Sequence, residues 1–262
     1  GNVGVGHKVG YYNVTGTKNT WLGYQAGLGA SGGSNSYSVG IGYQALGSIT
    51  TGASNVAVGA NAGDSLNTGH SNVAIGYEAL NSATSSQDNV AIGYQALKNH
   101  NDAISFAGRN VAIGYQAGLS VTTSDRCIYI GYAAGDAITT GGQNLAIGDG
   151  ALGSLTTGES NLAIGAGAMG SVNNTGAGYN TVVGHLAAAT YSTTFSNNTY
   201  IGYSAGRFYA TGSTNVAIGH TALEGTSGAA HSIGSNVVIG SRALYRTRNA
   251  FYHVVIGEAA AM

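Results

Sequence analysis

A short pattern returns along the whole chain: a large apolar residue, a small one, a large apolar one, then glycine. Val73-Ala74-Ile75-Gly76, Val90-Ala91-Ile92-Gly93 and Val111-Ala112-Ile113-Gly114 are clear cases. Alternation with period two predicts a β-strand with large residues on one face and small ones on the other, and no helical stripe competes with it. Asn usually precedes the triplet, and in the clearest copies Tyr-Gln-Ala and then Leu or Gly follow the glycine. Counted from this Asn column, 15 copies begin at Asn2, Asn19, Ser38, Asn55, Asn72, Asn89, Asn110, Cys127, Asn144, Asn161, Asn180, Asn198, Asn215, Asn236 and His253. The modal spacing is 17 residues, and every departure, to 18, 19 or 21, is an insertion. A fixed minimum coil with extra residues looped out is the signature of a solenoid. The expectation is an all-β chain: a parallel β-solenoid of about 15 coils, one array over residues 1–262 and a segment of a longer fibrous protein.

Each column carries its own prediction. The glycine four places after the Asn column is present in all 15 copies, Gly42, Gly76, Gly93 and Gly114 among them, which calls for positive φ or close backbone approach. The Asn column holds Asn in 12 copies, including Asn55, Asn72, Asn89 and Asn110. Two roles are open to it: an amide ladder between stacked coils, or a left-handed turn. Ala stands three places after the glycine in 14 copies, so a tight contact is expected there; it is the column at which we expect chains to meet. The Tyr column after the glycine reads as structural stacking in preference to a sugar-binding face. Stretches such as Ser48–Gly52 and Ser154–Gly158 read as a second short strand and a glycine turn.

The Asn-x-Ala-Ile-Gly motif resembles the head repeat of YadA-like trimeric autotransporter adhesins. The copies at Asn72–Leu80, Asn89–Leu97 and Asn110–Gly118 are closer still to the Asn-Thr-Ala-Ile-Gly-Tyr-x-Ala-Leu arrays of phage and viral tail fibres. The resemblance spans Asn2 to Ala261 and implies a left-handed parallel β-roll, three of which pack around a common axis as a homotrimer. It also implies an attachment role: a structural and adhesive fibre segment outside the cell, on a virion or a bacterial surface. Its partners would be a cell-surface glycan or protein receptor and adjacent modules of the same fibre. The adhesin head coil is shorter than 17 residues, so its cross-section does not transfer to this chain.

Composition narrows the alternatives. The chain has 45 glycines, no proline and only 7% charged residues, with a net charge of −1. Such a chain has no polybasic field for nucleic acid, and no apolar run approaches the ~18 residues of a membrane helix. A single cysteine, Cys127, excludes an internal disulfide and any site built on several cysteines. The histidines show no metal spacing, and no nucleophile elbow or local acid pair appears, so no metal, no cofactor and no enzymatic activity are expected. Hexapeptide acyltransferases need about three hexads per coil, where this chain has one. An ice-binding face needs regular Thr ranks, which recur here in only some coils. A self-polymerising extracellular filament is the main alternative to the adhesive segment.

The two longest insertions, within Leu97–Arg109 and Leu223–Ser235, are the candidate contact loops. In the first, Lys98, His100, Asp102, Phe106 and Arg109 mix charge with an aromatic ring; in the second the candidate is His231. Arg242, Arg246 and Arg248 form a locally basic end beside aromatics and complete the receptor-contact candidates.

Overall fold

The computed structural model describes every residue except 102–107, 173–175, 190–193, 210, 228–231 and 262. The chain divides into two compact units, Gly1–Cys127 and Ile128–Met262. Both are parallel β-solenoids, and no helix occurs among the described residues.

In the first unit each coil opens on a three-residue strand: β1 Val3–Val5, β2 Thr20–Leu22, β3 Val39–Ile41, β4 Val56–Val58, β5 Val73–Ile75, β6 Val90–Ile92 and β7 Val111–Ile113. Each pairs in parallel with the next, equivalent residue on equivalent residue, as in Val73↔Val90. The 21-residue coil keeps this register, Val90 facing Val111, so its insertion is absorbed away from the ladder. The second unit repeats the scheme with β8 Ile128–Ile130, β9 Leu145–Ile147, β10 Leu162–Ile164, β11 Thr181–Val183, β13 Thr199–Ile201, β15 Val216–Ile218, β17 Val237–Ile239 and β19 Val254–Ile256. It adds a second row, β12 Thr194–Ser196, β14 Thr211–Ser213, β16 Ser232–Gly234 and β18 Ala250–Phe251. The expected second strand is therefore real in four coils, but it lies just before the Asn column. Ser48–Gly52 and Ser154–Gly158 form no strand; Ile49 and Leu155 there simply point inward.

The strand triplets face the opposite way from an ordinary amphipathic strand. The small middle residue is inside: Ala57, Ala74, Ala91 and Ala112 are all fully buried. The large residues on either side project outward because side chains alternate along a strand. The Ala column after the glycine also points in, with Ala45, Ala62, Ala79 and Ala96 inaccessible. These alanines line the interior of a single coil, so they are not the column at which chains meet. The coil is too narrow for two facing rows of large residues, and the rest of its core comes from two further columns. Leu46, Leu80 and Leu97 supply one, and Ile49, Leu66, Val121 and Ile138 the other, 11 residues after the Asn column.

Filling is compensated coil by coil. Where the middle residue is large, as at Trp21, Tyr129 and Tyr200, the residue six places on is Gly27, Gly135 or Gly206, and an added Cβ at each would run into that ring. Where the middle residue is Ala74, Ala91 or Ala146, the same place holds Leu80, Leu97 or Leu152. Trp21 also displaces side chains in its neighbours: an added Cβ at Gly10 or Gly40 would stand 2.9 or 2.8 Å from its ring.

The Asn column is a ladder. Asn72 Nδ2 donates to Asn55 Oδ1 at 3.1 Å and to the Ser86 carbonyl at 2.8 Å, while Asn72 N donates to Asn55 Oδ1 at 3.0 Å. The same bonds recur through Asn89 and Asn110 in the first unit, and from Asn144 to Asn236 in the second. The left-handed turn residue is instead the one before, for example Ser71 (φ 59°) and Asp88 (φ 57°). Two more positions per coil are left-handed, and in several coils neither is glycine, as at Gln95 (φ 55°) and Leu97 (φ 48°). Hydrogen bonds in opposite directions hold them: Gln95 N reaches back to the Tyr77 carbonyl at 2.9 Å, and Leu97 N forward to the Ala117 carbonyl at 3.0 Å. A left-handed residue costs about 1 kcal/mol, and a satisfied backbone bond offsets a similar amount. The glycine column meets both of its expected conditions. Gly42, Gly76, Gly93 and Gly114 have φ of 134°, 132°, 133° and 137°. A Cβ on Gly76 would collide with the carbonyl of Gly93.

Candidate functional site

With the alanines inside, the outward face of most strands is apolar. Leu22, Ile75 and Ile113 in the first unit, and Ile201, Ile218 and Ile239 in the second, are exposed members of the row just before the glycine. Past the glycine turn stands the aromatic row. His7, Tyr24 and Tyr43 stack with ring centroids 5.2 and 5.4 Å apart, and Tyr77, Tyr94 and Tyr115 with centroids 5.3 and 5.1 Å apart. In the second unit His185, Tyr203 and His220 do the same at 5.6 and 5.2 Å. These tyrosines remain exposed, so the row is both a stacking element and a surface.

A polar row runs alongside. Gln44 Nε2 donates to Gln25 Oε1 at 3.2 Å, Gln116 Nε2 to Gln95 Oε1 at 3.0 Å, and Gln95 Nε2 to Glu78 Oε2 at 2.9 Å. Lys98 Nζ lies 2.6 Å from the same Glu78 oxygen. Hydrogen bonds from Lys98 and then Gln95 hold the Glu78 carboxyl below the usual carboxylate range, and its contact with Tyr77 raises that phenol. Lys98, expected in a contact loop, is thus tied to the row.

The other expected contact residues are scattered. His100 is fully buried and lies 3.5 Å from Asn110 Nδ2, so it is not available as a receptor contact. The reason is register: it stands 11 residues after Asn89, in the column that holds Ile49, Leu66 and Val121, and aligning that column would have marked it as interior. Arg109 is exposed, in the left-handed position before Asn110. Arg242 lies 3.8 Å from Glu258, Arg246 sits over the Tyr245 ring at 5.1 Å, and Arg248 is exposed. Lys98 and Arg109 belong to the first unit and these three arginines to the second. Asp102, Phe106 and His231 lie outside the described residues. Cys127 is buried in its Asn-column place, with Sγ 3.3 Å from the Asp125 carbonyl.

Two features escaped the sequence reading. In the second unit Glu224 is buried; desolvation raises its carboxyl, and Arg207, His220 and Arg246 oppose the shift. Tyr209 beside it is buried and raised by desolvation, and its hydroxyl donates to the Thr247 carbonyl at 3.1 Å. A shallow groove of about 530 Å³ runs past Gln143, Ser160, Leu162 and Tyr179. Among the described residues no group of three metal-binding side chains occurs, and no helix is long and apolar enough to cross a membrane.

Comparison with protein-family models, curated proteins and solved structures returns no match.

Proposed function

We propose that the chain is a structural and adhesive fibre segment that works outside the cell as a homotrimer of left-handed β-rolls. The observation that carries this reading is the outward strand face. The outward Val, Leu and Ile residues are half-buried or exposed along both units, with Ile75, Ile113, Ile201, Ile218 and Ile239 among the exposed ones, while small alanines take the inward places of most strands. A narrow coil leaves more apolar surface than it can hide, and contiguous apolar surface of this kind marks an association face. The Val and Ile rows, and not the buried alanines, are then where three chains meet. On this reading the exposed arginines and the insertion segments supply receptor contacts in three copies, so that weak binding to a surface glycan or protein gains by avidity. The role requires no cofactor, metal or catalytic group, and adjacent modules of the same fibre would flank the segment.

Light scattering tests the reading. The expected mass is that of three chains, each of 26.0 kDa. Ile75→Lys with Ile113→Lys places charge in the outward row without touching the interior, and it is expected to give the single-chain mass with an unchanged circular dichroism spectrum. A single-chain mass for the parent protein overturns the proposal, and a very large polydisperse mass favours a filament.

A further inference from the structure

One rung is missing from the aromatic row of the first unit. Tyr24 and Tyr43 stack with planes 5° apart, and Tyr77 and Tyr94 with planes 14° apart. Between these pairs the coil that begins at Asn55 carries Ala60 in the tyrosine column. Strands β3, β4 and β5 pair without any register shift, so Ala60 stands one coil from Tyr43 and one coil from Tyr77. Two coil spacings are roughly 9.6 Å. Where the coils of Asn72, Asn89 and Asn110 each place a phenol ring, this coil places only the Ala60 methyl, between the exposed Tyr43 and Tyr77. The polar row is interrupted at the same coil: Asn61 replaces Gln, and among the described residues no side-chain hydrogen bond joins it to Gln44 or Glu78. The gap has no equal in the second unit, where Asp149 and Ala166 together separate Tyr132 from His185.

We propose that this vacancy binds one aromatic ring, carried on a side chain of a partner polypeptide, which enters between Tyr43 and Tyr77 as the absent rung. The neighbouring rungs set the thickness of the slot, and it is that of a flat six-membered ring. Tyr43 and Tyr77, each stacked on its outer neighbour, offer one ring face on either side. A pyranose fits less well: it is puckered, and its hydroxyls need several partners. Glu78 is already engaged by Lys98 and Gln95, which leaves Asn61 as the open amide at the rim. One hydroxyl or indole N–H is what a single amide can serve. A free ring makes only the two stacking contacts, whereas a ring anchored on a polypeptide also gains contacts from the residues that flank it. The inference uses only one unit of one chain and stands apart from the fibre reading.

The test is a titration of the intact chain, labelled with ring-¹³C tyrosine, with N-acetyltyrosinamide. The Tyr43 and Tyr77 resonances, assigned by Tyr→Phe substitution, are expected to shift saturably, while N-acetylleucinamide and methyl glucoside leave them in place. Ala60→Tyr fills the slot and raises the half-saturation concentration by roughly tenfold or more. Tyr43→Ala, which removes one wall and adds no volume, does the same. No saturable shift, an equal response to the leucine amide or the glucoside, or undiminished binding in both variants overturns the proposal.

Discussion

Asn89 makes four side-chain hydrogen bonds in a fully buried place. It donates to Asn72 Oδ1 at 3.1 Å and the Gln87 carbonyl at 3.0 Å, and accepts from Asn110 N at 3.1 Å and Asn110 Nδ2 at 3.2 Å. Asn89→Ala strands these partners without water, and urea denaturation is expected to show a loss of about 3 kcal/mol. The chain carries its own control at Ser38, whose hydroxyl accepts Asn55 N at 3.2 Å. Asn89→Ser is therefore expected to recover about 1 kcal/mol of that loss. Glu78 offers a pH readout. Its carboxyl is held low in the folded chain, so its stabilising effect is present above the ordinary glutamate pKa and fades as pH falls through the lowered value. Glu78→Gln is expected to cost a few tenths of a kcal/mol at neutral pH and nothing at acid pH, compared by urea midpoints. A gap that persists at low pH would mean that packing, and not charge, sets the difference.

At the scale of one coil, the interior behaves as a fixed volume shared between two columns. Gly206→Leu in the parent chain drives a side chain into the Tyr200 ring, and Tyr200→Ala empties the space that ring fills. Each change alone is expected to cost about 3 kcal/mol. Together they recreate the pairing seen at Ala217 and Leu223, and a double-mutant cycle is expected to return a favourable coupling of about 1–3 kcal/mol. Additive losses would show that the two columns do not share the space. The coil also shows what was legible beforehand. Strand position, register and the glycine column were readable because each repeats in every copy. The direction of the strand faces was not, since Val-Ala-Ile alternates equally well with either face inward; the narrowness of the coil decides it. Nor were the left-handed turns at Gln95 and Leu97, where hydrogen bonds to neighbouring coils override residue preference. The candidate contact residues were read from loop composition, and His100 shows the weakness of that approach: a polar residue inside an insertion still occupied a core column.

At the scale of the whole chain, the scarcity of charge now has a place in the structure. With 7% charged residues and a net charge of −1, long-range repulsion does little to keep copies apart, and under the proposed function the outward Val and Ile rows are the surface on which they meet. Most polar capacity is spent between coils, in amide and backbone ladders that run within each unit, so the outward face is free to be apolar. A large middle residue is offset within its own coil, and several other coils pair Ala with Leu in the same places, so these coils bring their own filling with them. A recombination slip of one period therefore adds or removes a finished piece, with the ladders rejoining on either side. Reach is then a heritable quantity that changes in equal steps, under selection separately from the fold. Neighbours of Trp21 are an exception: a side chain at Gly10 or Gly40 would meet its ring, which ties that stretch to its place in the array.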